Sequence, residues 1–583
     1  MGYDIILGRD REDKKKFGNR GVIYLGKGYV QMGNYTSLSN RIWMDIARTH
    51  VILIAGKRGC LTEDALVFTD KGYKSIKEFN QKEDRILSFN KEKKIYEWEN
   101  AELLEYDISN TEKLLEIEFI NGKKLRLTKE HPLLAVVNTD NLISLLYTNA
   151  DKLKKDDEIL SVNDLFDEIT GLKIKSIKEI DGIKKVYDLF VPKNHSFIAN
   201  GIVSSNSGKS YTIGVIAEEL SDLPPEVKRN IAPLIFDTMG IFWTMKYENE
   251  KEIELLEEWG LKTKKLPVII WVPAGYYEEY LEKGIPVDKR FALAASELDI
   301  EDWLSIFNLE MISPVSISIQ KTISDLKKTE NFDLNDILGK IRDDKEAEDS
   351  AKKSAIALFE AAKSWKIFAS RNEQSTKIND LIKAGETSVL DLSVYSSVAV
   401  FNVRALVIGL ISRKLFDQRM MARKQEEVTS IQHGLSSSYE EEKEMPLVWL
   451  FLDEAHEFLP MNDKTPATNA LIQLLREGRQ PGISMVLATQ QPGVIHRDVM
   501  TQSDIVISHR LTNKDDVTAL NTMMQTYLLE GITKSMNNLP ELKGSAILLD
   551  DNSERIYPIR IRPRFTWHGG EAPKSIKEEE KED

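Results

Sequence analysis

Residues 51–55 read VILIA, and Gly56, Lys57, Arg58 and Gly59 follow them directly. A short β-branched apolar run that ends on glycine is a buried strand entering a tight turn. The helix expected after such a turn starts only at Ser207, where SGKSYTIGVIAEEL carries apolar residues at helical spacing. Joining residue 59 to residue 207 puts Gly56, Lys57, Arg58, Gly59, Ser207, Gly208, Lys209 and Ser210 in order, a match to G-x-x-x-x-G-K-[ST] between a strand and a helix. In such a loop successive backbone N–H groups face phosphates at a helix N-terminus, the lysine pairs with the outer phosphates, and the hydroxyl holds a cation. ATP and Mg²⁺ are therefore the expected cofactors. A lone G-K-S triplet is weak evidence. An eight-residue match recovered across the two points where the composition changes is hard to obtain by chance.

Between those points lie 147 residues, 60–206, in which ALVFTDKGYKSI, RILSFN, KLLEIEFINGKKLRLT and KKVYDLFV read as short strands divided by turn signals. They form a compact all-β unit. Its boundary residues suit autocatalytic backbone rearrangement. The Cys60 thiol can attack the Gly59 carbonyl to form a thioester, and the Ser207 hydroxyl can take over the acyl group. The Asn206 side-chain amide can then cyclise onto its own carbonyl and break the bond to Ser207. An oxygen-to-nitrogen acyl shift leaves Gly59 joined to Ser207. Cys60 is the only cysteine, which excludes an intramolecular disulfide and a cysteine-cluster metal site. A lone cysteine is ordinarily a small buried filler; its place at the boundary argues otherwise.

The segment opens CLTEDALVFT, carries TKEH at 128–131 and closes VYDLFVPKNHSFIANGIVSSN. On these residues it resembles an intein of the Hint fold, and its length resembles a mini-intein without a homing endonuclease. The resemblance implies that Thr128 and His131 polarise the scissile bond before Cys60, while Asp188 and His195 assist the later steps. Where inteins usually carry histidine before the terminal asparagine, this chain has Ser205, so cyclisation is either slowed or leans on His195. Either histidine alone would be read as an ordinary core or surface residue; with Cys60 and Asn206 at the two ends, the functional reading is preferred.

Without the insert 436 residues remain. PLVWLFLDEAHEF is an apolar strand ending in Asp453 and Glu454, where the aspartate would hold Mg²⁺ through water and the glutamate would orient or deprotonate the attacking water. The plainer reading of such a pair is a helix N-cap. The helix NALIQLLREGRQPG and the strand ISMVLATQQPG follow, and Gln490 at the strand's end is the candidate for sensing the γ-phosphate. Arg476 and Arg479 precede that strand and could reach a neighbouring subunit's nucleotide. The alternative for each is an exposed helix-end cation facing the dipole, and for Arg479 the finger is preferred.

PLIFD (233–237), LPVIIWV (266–272), DIVISHRL (504–511) and SAILLDD (545–551) read as further strands alternating with helices. That pattern predicts an α/β domain with a mostly parallel sheet covered on both faces, interrupted by the all-β insert. The expected organisation is 1–59 as the host's first part, 60–206 the insert, 207–272 the continued core, 273–385 a helical subdomain and 386–570 the core with Asp453 and Gln490. KQEEVTSIQHGLSSSYEEEKEMP reads as a mobile polar loop, and residues 571–583 as a disordered acidic tail.

No apolar run approaches membrane-span length and no secretory signal opens the chain, so a cytoplasmic protein without a membrane partner is expected. The net charge of -14 decides nothing about DNA, because a ring-shaped motor can hide basic residues in its channel. AGKRG joined to SGKSYT, FDTMGIFW, LFLDEAHEFLP, REGRQPG, ATQQP and IRPRFTWHGG make the host resemble the HerA/FtsK branch of RecA-like ATPases, and the HerA family in particular. The resemblance implies a homo-hexameric ring that moves or unwinds double-stranded DNA, with a NurA-type nuclease as partner at DNA ends. HerA proteins usually carry a β-barrel before the loop, whereas about 50 residues precede it here, a short stretch for a domain. The competing expectations are a conjugation or secretion motor of the same branch and a nucleotide-switched scaffold.

Overall fold

The computed structural model describes residues 4–568 except 33–34, 57–60, 81–82, 91–94, 100, 108–113, 129–130, 140–141, 151–152, 163–168, 182, 184, 191–195, 201, 206–208, 330, 372, 396–400, 434–444, 491, 510–519 and 521–543. Among them, thirteen strands form one host sheet: β1 (Ile5–Leu7), β2 (Val22–Met32), β3 (Tyr35–Asp45), β4 (Val51–Ala55), β5 (Ile231–Asp237), β6 (Val268–Pro273), β7 (Lys289–Phe291), β8 (Thr387–Asp391), β9 (Leu447–Leu452), β10 (Ile483–Thr489), β11 (Ile505–His509), β12 (Ser545–Asp550) and β13 (Arg555–Ile561). Their order is β1-β3-β2-β13-β12-β11-β4-β10-β9-β5-β8-β6-β7. From β11 to β7 every neighbouring pair is parallel. From β3 to β11 every pair is antiparallel.

The parallel strands are buried along their whole length because helices cover both faces, so they read as unbroken apolar runs. Alternation along β4 divides its side chains between two cores. Val51, Leu53 and Ala55 join the layer that holds the subdomain helices and Leu471, Leu474 and Leu475, while Ile52 and Ile54 join the layer that holds Ile213, Ile216 and Leu220 of the Lys209–Ser221 helix. Residues 273–385 contain the helices Ile300–Ile306, Pro314–Leu326, Leu334–Asp343 and Asp349–Ser364. Asp333 caps one of them by accepting from the N–H groups of Asn335 and Asp336. Trp303 packs against Phe307, Phe359 and Phe368 at their centre.

Residues before β4 widen the same sheet through β2 and β13. Buried His50 fastens this margin to the core. Burial alone would lower its pKa, but Asp504 at 2.6 Å and Asp45 at 3.7 Å raise it to about 9. One expectation is corrected. Residues 424–433, read as the start of a mobile loop, continue the Val403–His433 helix. The stretch lacks an apolar stripe because its polar side chains face solvent and pair along the helix, Arg423 with Glu426 and Glu427. The rest of that segment and the acidic tail from 571 lie outside the described residues.

The Lys209–Ser221 helix is held by the segment that follows β13. Glu218, fully buried, accepts from Arg562 Nη1 at 2.9 Å, Arg564 Nε at 2.9 Å, the Phe565 and Thr566 N–H groups at 3.0 and 3.1 Å and the Thr566 hydroxyl at 2.5 Å. Gly214 makes the approach feasible, since a Cβ there would stand 2.6 Å from the Arg564 guanidinium carbon. Burial would raise the Glu218 carboxyl, but Arg564, Arg562 and the Thr566 hydroxyl outweigh it and hold the pKa below the ordinary value.

Between Leu61 and Ser205, fifteen strands among the described residues pair only with one another and enclose a separate core that includes Leu61, Ile117, Phe119, Leu133, Ile159 and Phe197.

Candidate nucleotide edge and splice junctions

Register places the host candidates at the carboxyl ends of adjacent parallel strands, the edge where open α/β sheets take ligands. Ala55 lies opposite Thr489, and Leu452 opposite Leu487. The Gly56 N–H donates to Thr489 O at 3.3 Å, so Gly56, Gln490 and the Asp453–Glu454 pair leave three neighbouring strands together. Lys57, Arg58, Gly59, Ser207 and Gly208 lie outside the described residues, whereas Lys209 and Ser210 open the covering helix. Downstream on that helix, Thr212 bonds His509 Nε2 at 2.8 Å at the end of β11.

Glu454 takes left-handed backbone angles, φ 49° and ψ 45°, unusual for a residue with a side chain and a form of strain found at functional sites. Its N–H donates to Asp453 Oδ1 at 2.8 Å. Its Oε1 accepts from Gln490 Nε2, and among the described residues its buried Oε2 has no hydrogen-bond partner, with His456 Nδ1 at 3.6 Å. Asp453, Glu454 and Gln490 are all buried. The carboxylate pair and the glutamine singled out in the sequence thus meet at this edge.

Sequence reasoning missed several neighbours. Glu457 is raised to about 7 by burial and by the charges of Glu454 and Asp453, against the opposing effect of Arg404, whose Nη1 lies 3.9 Å from it. Asp237 and Asp391 end β5 and β8 opposite each other. Burial and the facing charge lift Asp237 to about 7, and burial raises Asp391. The available signal was position alone, since both aspartates close an apolar run.

Arg476 and Arg479 are elsewhere. Arg479 precedes β10 at the amino edge of the sheet, where it donates to Gln502 O and lies 3.6 Å from Asp504. Arg476 bonds Asp498 at 2.7 Å. Within this chain neither meets Glu454.

In the inserted unit, the first strand, Leu61–Thr62, begins just after Cys60. Leu61 pairs with Leu127 on one side and Tyr187 on the other, the residues preceding Thr128 and Asp188. The last strand, Ile202–Ser205, ends just before Asn206, and Ser204 pairs with Leu133, two positions beyond His131. Thr128 and His131 are buried; the His131 N–H donates to Thr128 O at 3.0 Å, and its ring stands edge-on to Phe197 at 6.4 Å. One sheet path therefore gathers the residues flanking both junctions around Thr128 and His131. Cys60, His195, Asn206 and Ser207 lie outside the described residues, as does the Asp188 side chain.

Residues 66–206 match the family described as intein splicing domain, and residues 204–415 match helicase HerA, central domain. A DNA double-strand break repair helicase HerA of Pyrococcus furiosus is 28% identical over 186 residues, 29% of this chain and 31% of that protein. A probable DNA double-strand break repair helicase HerA of Methanocaldococcus jannaschii is 22% identical over 372 residues, 62% of this chain and 70% of that protein. The chain thus spans less than a third of the Pyrococcus relative's length. A solved DnaX mini intein from Spirulina platensis is 26% identical with a TM-score of 0.22, over 25% of this chain and 99% of that one.

Proposed function

We propose, for a chain that carries both an intein splicing domain and the central domain of HerA-type helicases, that it is the precursor of an ATP-driven DNA motor whose phosphate loop is completed by splicing. The supporting observation is the convergence of Gly56, Asp453, Glu454 and Gln490 at one sheet edge, with the helix that opens at Lys209 packed on the same core. In this reading Gly56, Lys57, Arg58, Gly59, Ser207, Gly208 and Lys209 cradle the phosphates of ATP. Ser210 and Asp453 hold Mg²⁺, which neutralises phosphate charge when bound. The fit is that of a cation shared with its nucleotide: among the described residues no group of three His, Cys, Asp or Glu could hold a metal unaided. Glu454 positions and deprotonates water through the oxygen that Gln490 leaves open, and Gln490 senses the γ-phosphate. Arg479, and secondarily Arg476, serve the next subunit of a homo-hexamer. Duplex DNA is the substrate and a NurA-type nuclease the partner.

For splicing, Cys60 and Ser207 carry the acyl group, Thr128 and His131 polarise the first bond, Asp188 and His195 assist, and Asn206 cyclises.

The test is ATP turnover by the spliced protein with and without duplex DNA. DNA should stimulate it, and Glu454→Gln should lower it by about 10²–10⁴-fold while leaving nucleotide binding intact. Turnover indifferent to DNA would count against the DNA motor, and full activity in the variant would remove Glu454 from the mechanism.

A further inference from the structure

Arg564 meets the Lys209–Ser221 helix along one face, from its first turn to its last. The Arg564 N–H donates to the Tyr211 hydroxyl at 2.8 Å, its guanidinium crosses Gly214, and its Nε donates to Glu218 at 2.9 Å. Residues 211, 214 and 218 are spaced by three and four positions and so share a helix face. Glu218 secures the C-terminal end of the helix through the ion pairs described above. Tyr211 secures the first turn, one residue after Ser210 and two after Lys209.

The Tyr211 hydroxyl both accepts and donates. While it takes the Arg564 N–H, it gives its own proton to Glu252 Oε2 at 2.8 Å. Buried Asn249 donates from Nδ2 to that same oxygen and to Arg564 O, each at 3.0 Å. A closed ring of hydrogen bonds therefore joins the helix, the connection between β5 and β6, and the segment after β13. Burial and then the charge of Glu252 hold the Tyr211 phenol well above its ordinary range, so the shared proton stays on the hydroxyl. The His568 ring stands edge-on to Tyr211 at 5.3 Å. A satisfied polar network of this kind fixes a side chain in one arrangement.

We propose that Tyr211 is a positioning residue for the nucleotide: tied to Arg564 and Glu252, it sets the first turn of its helix and with it the aim of Lys209 and Ser210 at phosphate and Mg²⁺. The inference rests on the reading of this helix as the one that follows the phosphate loop, and it names what holds the first turn in place. An α-helix rises about 1.5 Å per residue, so a displacement at Tyr211 passes almost undiminished to Ser210. A misplacement of about 1 Å in a binding site is enough to cost about 10²-fold in rate. Arg564 thereby serves two ends of one element, its side chain holding Glu218 and its peptide N–H holding Tyr211.

The experiment titrates ATP and Mg²⁺ into the spliced product of the full chain and of its Tyr211→Phe, Glu252→Ala, Glu252→Gln and Glu218→Ala variants, well below every melting temperature, alongside thermal unfolding without nucleotide. Tyr211→Phe is expected to weaken ATP binding in Mg²⁺ by about tenfold, the loss that follows when a hydrogen bond to a charged group is removed. The Mg²⁺ concentration needed for half-saturation should rise with it. Glu252→Ala should do the same, and Glu252→Gln, which keeps an oxygen for the hydroxyl, should recover most of the loss. Glu218→Ala, which loosens the far end of the helix, should lower the melting temperature more and the nucleotide affinity less. Unchanged affinity and Mg²⁺ requirement in Tyr211→Phe overturn the assignment while leaving the ATP reading intact. An affinity loss that follows the melting temperature across all the variants also overturns it, because Tyr211 would then hold the fold rather than the site. Failure of the unaltered spliced protein to bind ATP overturns the reading on which the inference rests.

Discussion

A chain locked as precursor by Cys60→Ala and Asn206→Ala is expected to hydrolyse ATP at background rate, at least about 10³-fold below the spliced protein. Removing one preorganised donor from a charge-stabilising site lowers turnover by about 10²–10³-fold, and the insertion divides the whole donor set. Gly56 follows β4 and bonds Thr489, and Lys209 opens the helix on that strand's face, yet 147 residues separate Gly59 from Ser207. The acidic pair and Gln490 remain in place in the unspliced chain, so loss of activity would report on the loop rather than on the water-activating side. Steady-state turnover and nucleotide binding by the locked chain measure this. Turnover within tenfold of the spliced protein would mean that the divided loop still closes around phosphates.

The second large effect is on stability. Glu218→Ala should destabilise the host domain by about 3–5 kcal/mol, because it leaves the buried Arg564 guanidinium without its counter-charge and the buried Arg562 with Glu219 alone; that is a large part of the roughly 5–15 kcal/mol that holds a domain folded. Arg562 and Arg564 are both fully buried, and Glu218 accepts five hydrogen bonds from their segment. Thermal unfolding of the variant should show the loss, and replacing Glu218, Arg562 and Arg564 together by apolar residues of similar size should recover much of it. The pH dependence has a definite sign. The folded Glu218 pKa is lowered, so its contribution is complete above the ordinary glutamate value and fades as pH falls through the lower folded value. The variant should therefore lose less stability on acidification than the unaltered chain. Equal acid sensitivity, or a loss below about 1 kcal/mol, would show that the helix is held by apolar packing instead.

The parallel core was legible because a strand buried on both faces must be apolar throughout: VILIA, PLIFD and ISMVLAT could hardly be anything else. β8 escaped notice because TSVLD is short and half polar by composition, though fully buried in the sheet. The margin β2–β3 was also hidden, since its residues mix glycine, lysine and aromatics and its pairing with β13 spans most of the chain. Residues 424–433 failed in the opposite sense: a polar helix with no buried stripe has the composition of a loop.

At the site, motifs could name Asp453, Glu454 and Gln490 because strand ends announce themselves. They could not announce that Glu457 and Arg404 would stand beside Glu454, nor that Asp237 would face Asp391, because those meetings depend on strand order and helix placement. Arg479 shows another limit. Its sequence position fixes the amino edge on which it sits, while its proposed work belongs to a neighbouring copy. In the inserted unit the resemblance to inteins implied Thr128 and His131, and strand register pairs the residues beside them with those beside the two junctions, Leu127 with Leu61 and Leu133 with Ser204.

The central claim is that the insert excises itself and rejoins the loop. Intact mass of the full chain after expression and warming tests it directly. The account predicts a 436-residue species whose sequence runs from Gly59 straight into Ser207, together with a 147-residue fragment. A single persistent 583-residue species that nonetheless hydrolyses ATP would contradict it, because the insert would then be a permanent domain and the divided loop a working one.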